Sequence, residues 1–525
     1  MKDDSLQKYQ YNSCVSRGIC SVSPKIAALQ NVLILYLHLI SKYYVKLISK
    51  DLISKDIQLK ILDIMGGIVL FNDFSEEYYF KKILFLRNSL LDMIDLYNIT
   101  YSQDDFQGEK ISEANIFKRS KKIVDTIQLG EEIGRSISLN FKQNIRDLYK
   151  LILIVLSNLS LNLTELGFYG AEFKDGVDKV FNLLSTIDLK KETQDNLKNK
   201  ILDASTTNIE LMYKLYQELE KHYGEQENTQ VSFSTFPQKA ILVTGSNIKE
   251  LENILENIKE TEIDIYTHDE MIFAYTFPKF RQYKNLKGQY GYGLENCLID
   301  FATFPGPIIL TKNSIHNVDN LYRGRLFTTD ENFNKEISKI KNYNLDEVIE
   351  ATKASKGFKH GKKCDSLEFG YNWKTVLKQI TEKIKSSEYK RIFLITEKNF
   401  SEEQEIYFKS LLKLTDKDTL VISMSYFSKR DNLLYFNTCF DPYASLRLIN
   451  ILKNYDLPIV LFVPKCSRNT LSEILYLSNV LNVKIFLGEC IPTTINPTLK
   501  STLKDVFGIN SLTDAKTDFQ MALSD

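Results

Sequence analysis

Cysteine is scarce, with seven in 525 residues at Cys14, Cys20, Cys297, Cys364, Cys439, Cys466 and Cys490. An odd, scattered set excludes a disulfide framework. Cys14 and Cys20 form the one close pair, and no paired Cys-x-x-Cys motifs offer a structural zinc site. Excess charge is missing too: 67 Lys plus Arg balance 67 Asp plus Glu. This removes the usual signature of a nucleic-acid or anionic-membrane partner. Long apolar runs are absent. Ile26 to Ile40 is broken by Gln30, Asn31 and His38, and Leu148 to Leu163 by Lys150, Asn158 and Ser160. Both fall short of the roughly 20 residues that span a bilayer and read as buried helices. The start, MKDDSLQKYQYNS, has no apolar h-region and does not read as a secretory signal. A cytoplasmic protein without membrane or nucleic-acid partners is therefore expected. There is also no solenoid-length repeat, no low-complexity linker, no H-E-x-x-H and no Ser-His-Asp order. The glycines around Gly288, Gly291 and Gly293 do not have the G-x-G-x-x-G spacing of a nucleotide loop.

What is present changes period near residue 231. From about residue 25 to 225, apolar residues recur three and four apart, as in Ile57, Ile61, Leu62 and Ile64, or Ile209, Met212, Leu215 and Leu219. That spacing predicts helices. Beyond it, short apolar runs alternate with amphipathic stretches. Ala240–Val243, Ile263–Tyr266 and Pro307–Leu310 form one series, with a helix from Asn247 to Lys259. Arg391–Ile395, Thr419–Ile422, Pro458–Val463 and Val483–Leu487 form a second. Continuous apolar strands separated by helices predict parallel sheets covered on both faces. The reading is a mixed α and α/β chain: a helical-bundle domain over 1–230, then doubly wound domains over 231–375 and 376–525. The Lys-rich stretch from Lys353 to Lys363 reads as a solvated loop between the two sheets.

Several ordered blocks sharpen this reading. Ile241-Leu-Val-Thr-Gly245 is followed by Ile265-Tyr-Thr-His-Asp-Glu-Met271, then Gly288-Gln-Tyr-Gly291, Phe304-Pro-Gly-Pro-Ile-Ile-Leu-Thr-Lys-Asn313 and Arg325-Leu-Phe-Thr-Thr329. With Cys14-Val-Ser-Arg-Gly-Ile-Cys20 before them and Cys439-Phe-Asp-Pro-Tyr443 behind, the chain resembles the hybrid-cluster protein family, also called prismane or hydroxylamine reductase, along its whole length. The resemblance implies a prismane-type fold, a simple iron–sulfur cluster near the N-terminus and a deeper iron–sulfur–oxygen cluster. The implied activity is reduction of hydroxylamine or nitric oxide.

The family's ligand positions are only partly kept. The simple cluster needs thiolates, because soft sulfur neutralises ferric charge as hydroxyls cannot. Cys14 and Cys20 occupy one pair of positions, but the other pair falls on Lys2 and Ser5. For the deeper cluster, held by His, Glu and Cys, the resemblance places Glu270 and Cys439 on retained positions. It places Ser246 where a His belongs, and Ser314, Lys398 and Tyr426 where Cys belongs. Arg468 stands for a Glu.

Neither cluster is expected to be intact, and no catalytic residue is assigned. Buried Lys398 or Arg468 would need a carboxylate such as Glu270 or Glu397 beside it. Glu270 reads either as a residual metal ligand or as the partner of a basic neighbour, and Cys439 as a structural thiol or a redox residue. Cys14 and Cys20 read as a metal-binding pair, a labile disulfide or a relic. His268 reads as a hydrogen-bonded histidine, not a ligand. Three functions follow: a non-catalytic scaffold, partner subunit or sensor, whose partner would be an intact relative or a second copy of the chain; an active reductase; or a small-molecule binder in the vacated cavity.

Overall fold

The structure is a computed structural model. It describes residues 23–48, 52–67, 75–100, 116–291, 296–312, 314, 318–330, 337–370, 373–386, 388–396, 401–428, 430–436, 444–466, 470–490 and 497–524. The chain divides into two compact units. One comprises Met1–Leu215, Ser467–Leu481 and Cys490–Gly508; the other comprises Tyr216–Cys466, Asn482–Glu489 and Ile509–Asp525.

The three-and-four spacing forms helices as expected: α1 (Pro24–Leu47), α2 (Lys55–Gly66), α3 (Glu76–Thr100), α4 (Ile123–Asn140), α5 (Gln143–Gly167), α6 (Lys174–Thr186) and α7 (Gln194–Tyr223). Ser23 caps α1 by accepting from the Ile26 amide, with Pro24 just inside, where its missing N–H costs nothing. Helices α1 and α5 have 24 and 25 residues and are long and apolar enough to cross a membrane by length and composition; 56% and 78% of their apolar windows are buried inside the molecule. They are longer than the apolar runs suggested, because Tyr, Lys and Asn continue the helix past each run. Helix α1 packs on α3, α4 and α6, and α5 packs on α2. The α1–α4 crossing is close: a Cβ on Gly130 would lie 1.9 Å from the Ala28 carbonyl oxygen.

The α/β unit holds strands β1 (Thr229–Ser232) to β8 (Ser366–Phe369), with β2 (Ala240–Thr244), β3 (Asp264–His268), β4 (Leu286–Gln289), β5 (Ile308–Leu310), β6 (Leu326–Thr328) and β7 (Ser338–Lys339) between them. Helices α8 (Ile248–Ile258), α9 (Cys297–Thr303) and α10 (Asp346–Ala354) connect them. Next come α11 (Trp373–Lys385), β9 (Arg391–Ile395), α12 (Glu402–Leu414), β10 (Thr419–Ser423), β11 (Leu433–Tyr435) and α13 (Ala444–Leu452). Strand β12 (Ile459–Cys466), α14 (Thr470–Asn479), β13 (Lys484–Cys490), α15 (Pro497–Phe507), β14 (Asn510–Ser511) and α16 (Ala515–Leu523) complete the described chain.

Two six-stranded sheets result, ordered β4-β3-β2-β5-β6-β7 and β11-β10-β9-β12-β13-β14. The described pairs within them are parallel. Both have the doubly wound order in which the chain starts centrally, winds one way, then returns and winds the other. Every residue of β2 and β3 is buried, as a strand covered on both faces requires. The short outer strands β4, β6, β7, β11 and β14 escaped the sequence reading because they lack continuous apolar runs.

Lys353 to Lys363 is not a simple solvated loop. Its first residues finish α10, the Phe358 amide donates to the Gln238 carbonyl at 3.0 Å, and Lys362 bridges Thr235. Phe358 packs among Tyr266, Tyr290 and Phe304, so one aromatic anchors an otherwise charged segment.

Candidate functional site

In a doubly wound sheet the crevice opens beyond the carboxyl ends of the strands, where the winding reverses. In the first sheet that reversal lies between β2 and β5. Strand β2 ends at Thr244, and Gly245 follows with φ of 126°, a conformation open to glycine. A Cβ there would fall 2.0 Å from Thr311 Oγ1 and 2.4 Å from Ser314 Oγ. Gly245 thus lets the turn after β2 meet the turn after β5, and Ser246 comes next, half-buried.

The two turns are joined by hydroxyls. Thr311 Oγ1 and Ser314 Oγ lie 3.0 and 3.3 Å from the Thr244 carbonyl and 3.1 Å from each other. Both side chains are buried, so the Ser314 hydroxyl is already engaged with the backbone of β2. The Thr244 hydroxyl points to β3, where it lies 3.0 Å from His268 Nδ1. His268 Nε2 is 3.3 Å from Asp300 Oδ2 on α9. With its proton on Nε2, the ring donates to the carboxylate and accepts from Thr244, so both nitrogens are used. His268 is fully buried, which makes it the hydrogen-bonded histidine of the sequence reading.

Glu270 is placed by the residue before it. Asp269 has φ of 59°, left-handed and tolerated by Asp through local hydrogen bonding. Gln289 at the end of β4 holds it there: its amide donates to the Asp269 carbonyl at 3.2 Å, and its carbonyl accepts from Thr267 at 2.5 Å. The chain then turns into a 3-10 helix, Asp269–Thr276, with Glu270 half-buried in its first turn. The Phe304-Pro-Gly-Pro block is fixed by Arg325, whose guanidinium donates to the carbonyls of Phe301 at 2.8 Å, Gly306 at 3.2 Å and Phe304.

Cys297, which the sequence reading left unassigned, is buried beside this cluster. Burial, with smaller contributions from Asp269 and Asp300, pushes its thiol up to about 11. With no metal beside it, it therefore stays protonated at neutral pH.

The chain matches the model of the Prismane/CO dehydrogenase family over residues 10–426. It belongs to that family. The hydroxylamine reductase of Thermodesulfovibrio yellowstonii is 25% identical, covering 97% of both chains. That of Methanocella arvoryzae is 24% identical over the same shares. That of Acidiphilium cryptum is 28% identical over 67% of this chain and 66% of the relative. Among solved structures, an acetyl-CoA synthase/carbon monoxide dehydrogenase alpha subunit, described with NiZn[Fe4S4] and NiNi[Fe4S4] clusters, matches 97% of this chain and 83% of its own at 11% identity and a TM-score of 0.48.

Of the expected positions in this family member, Ser246, Glu270 and Ser314 all lie at carboxyl ends of the first sheet, behind β2, β3 and β5. Tyr426 follows β10 in the second sheet, 74% exposed and edge-on to Tyr435 at 5.6 Å. Lys2, Ser5, Cys14, Cys20, Glu397, Lys398, Cys439 and Arg468 lie outside the described residues. Among the described residues no three His, Cys, Asp or Glu side chains converge as a metal site. The sequence reading missed the Thr244–Thr311–Ser314 and Thr244–His268–Asp300 links. A Thr at a strand end before Gly was their one visible signal.

Proposed function

We propose that this chain keeps the fold of a hybrid-cluster protein without an intact hybrid cluster, and serves as a cytoplasmic scaffold, partner subunit or sensor in place of a reductase. The observation that carries this reading is the donor set at the carboxyl ends of the first sheet. Iron–sulfur centres are held by thiolates, with imidazole or carboxylate at particular irons. Here Ser246 and Ser314 offer hydroxyls, and that of Ser314 is bound to Thr244 and Thr311. His268 has both ring nitrogens engaged, and Cys297 is held as a thiol. Glu270 alone is a hard carboxylate donor and cannot replace soft ligands. The described residues therefore do not fit the cluster, and no reductive step is derived through it. Under this reading Ser246 and Ser314 stand at former His and Cys positions, and the partner is an intact relative or a second copy of the chain.

A reductase of hydroxylamine is the second reading, favoured by the likeness to enzymes of that name over 97% of the chain. Iron analysis and the visible spectrum of anaerobically purified protein separate the two. The proposal expects a nearly colourless preparation with iron well below one atom per chain. A brown protein with several irons per chain and hydroxylamine-dependent oxidation of a reduced dye would overturn it.

A further inference from the structure

The helical unit contains buried polar groups that neither cluster site nor sheet explains. Two side-chain bonds tie α5 to α7 in the same chain direction: Asn144 near the start of α5 donates to Gln194 at the start of α7 at 2.9 Å, and further on Asn162 donates to Asn208 at 2.9 Å. One turn before the second bond, Asn158 precedes Asn162 by four positions and Ser205 precedes Asn208 by three. Residues three and four apart share a helix face. At a rise of about 1.5 Å per residue, Asn158 and Ser205 are therefore level to within roughly 1.5 Å, on the same helix faces as the Asn162–Asn208 bond.

Both are sealed from solvent, Asn158 at 1% and Ser205 at 0% exposure. Yet Asn158 Oδ1, Asn158 Nδ2 and Ser205 Oγ have no hydrogen-bond partner among the described residues, and neither does the Oγ of neighbouring Ser157. The layer one turn away closes directly, amide to amide; this one does not. A Ser side chain is one bond shorter than an Asn, and no direct hydrogen bond forms between Asn158 and Ser205. Buried polar atoms in native proteins almost always find a partner in protein or ordered water, and a polar gap with several convergent groups is where buried water resides.

We propose that the Asn158–Ser205 layer is an internal binding site for water, holding one or two molecules that bridge the amide to the hydroxyl. The amide offers a donor and an acceptor, and the hydroxyl can play either part, which matches water's own two donors and two acceptors. No formally charged residue lies between Lys150 and Glu165 on α5, and Asp203, the nearest on α7, is half-exposed and paired with Lys179 at 2.7 Å, so no unpaired charge on either helix is at hand to balance an ion. The bridge fixes the register of α5 against α7, since a slip of one residue would turn Asn158 into an apolar neighbourhood.

The test is a crystal structure of the full chain with oxygen-17 water relaxation on wild type and N158L. The expected result is density within hydrogen-bond distance of both Asn158 and Ser205, and fewer long-lived internal waters in N158L than in wild type. Because N158L could misfold, S205A is measured in parallel and checked by circular dichroism; it too is expected to lose long-lived water. A direct Asn158–Ser205 hydrogen bond, a bound ion in the layer, or an unchanged water count in folded S205A would each overturn the proposal.

Discussion

Gly245→Ala tests whether the strand-end network is as tightly closed as its geometry indicates. Two costs add. The backbone at φ of 126° is essentially reserved for glycine, and forcing Ala into it costs on the order of 1–3 kcal/mol. The new methyl would also sit 2.0 Å from Thr311 Oγ1 and 2.4 Å from Ser314 Oγ, so both hydroxyls must leave the Thr244 carbonyl. Each lost hydrogen bond is worth about 0.5–1.5 kcal/mol. The sum is about 2–6 kcal/mol, a large part of the roughly 5–15 kcal/mol that holds a typical domain together. The chain has two compact units, so a single melting curve would mix two transitions. Hydrogen exchange of the β2 and β5 amides by mass spectrometry reads the site itself. Protection there should fall at least about tenfold, since 1.4 kcal/mol is a factor of ten, while α5 remains protected. Adding S314A should recover only part of it, because Thr311 is the nearer obstacle. Protection of β2 within a factor of two of wild type would refute the reasoning, since it would mean that the two turns are not in contact.

Asp518 is fully buried and accepts from Tyr407 Oη at 2.7 Å, Thr513 Oγ1 at 2.6 Å and the Thr513 amide at 2.9 Å. Asp518→Asn presents an N–H to donors and should cost about 1.5–3 kcal/mol, read as faster proteolysis or exchange of α16; unchanged α16 protection would contradict it. His38 is half-buried, with Nδ1 donating to the Leu184 carbonyl at 2.7 Å and Nε2 accepting from Tyr149 at 2.9 Å. Burial holds it below its ordinary 6.5, so the unfolded chain takes up the proton first and the helical unit loses stability as pH falls below about 6.5. Denaturation midpoints should therefore drop less between pH 7 and 5 in His38→Gln than in wild type, and parallel curves would reject the assignment.

The parts of the fold most visible in the sequence were those whose physics is local. Ala240–Val243 and Ile392–Ile395 are strands because every side chain is apolar and buried, and the amphipathic stretch behind the first is α8 because Asn247 caps it. The outer strands were not visible: Leu286–Gln289 carries Lys and Gly and is a strand because β3 offers it a ladder. Nor was the fate of α15, which continues an α/β pattern but belongs to the helical unit. Thr498 and Thr502 there donate to buried Asp147 on α5, at 3.1 and 3.4 Å. At the candidate site the positions could be read, because strand ends are fixed by strands. The partners could not, since Thr244, His268 and Asp300 meet only through sheet register and the packing of α9.

That difference bears on how much function follows the family. The cores of both sheets depend on strands such as Ile241–Val243 and Phe393–Ile395, which are buried. Residues beyond the carboxyl ends can therefore change without unfolding what lies beneath, which is why one fold supports different sites. What such a change requires is that the new side chains satisfy one another. Ser314 meets this condition through Thr244 and Thr311, and Thr244 extends the chain of hydrogen bonds through His268 to Asp300. A site that had merely lost ligands would leave buried donors and acceptors facing a void. At Ser314 and His268 these groups instead bond to one another, which under the proposed reading lets the turns after β2, β3 and β5 close without a metal. If so, exhaustive iron chelation should leave β2 and β5 protection unchanged in the purified protein, whereas a chelator-dependent loss at those strands would return the site to the cluster.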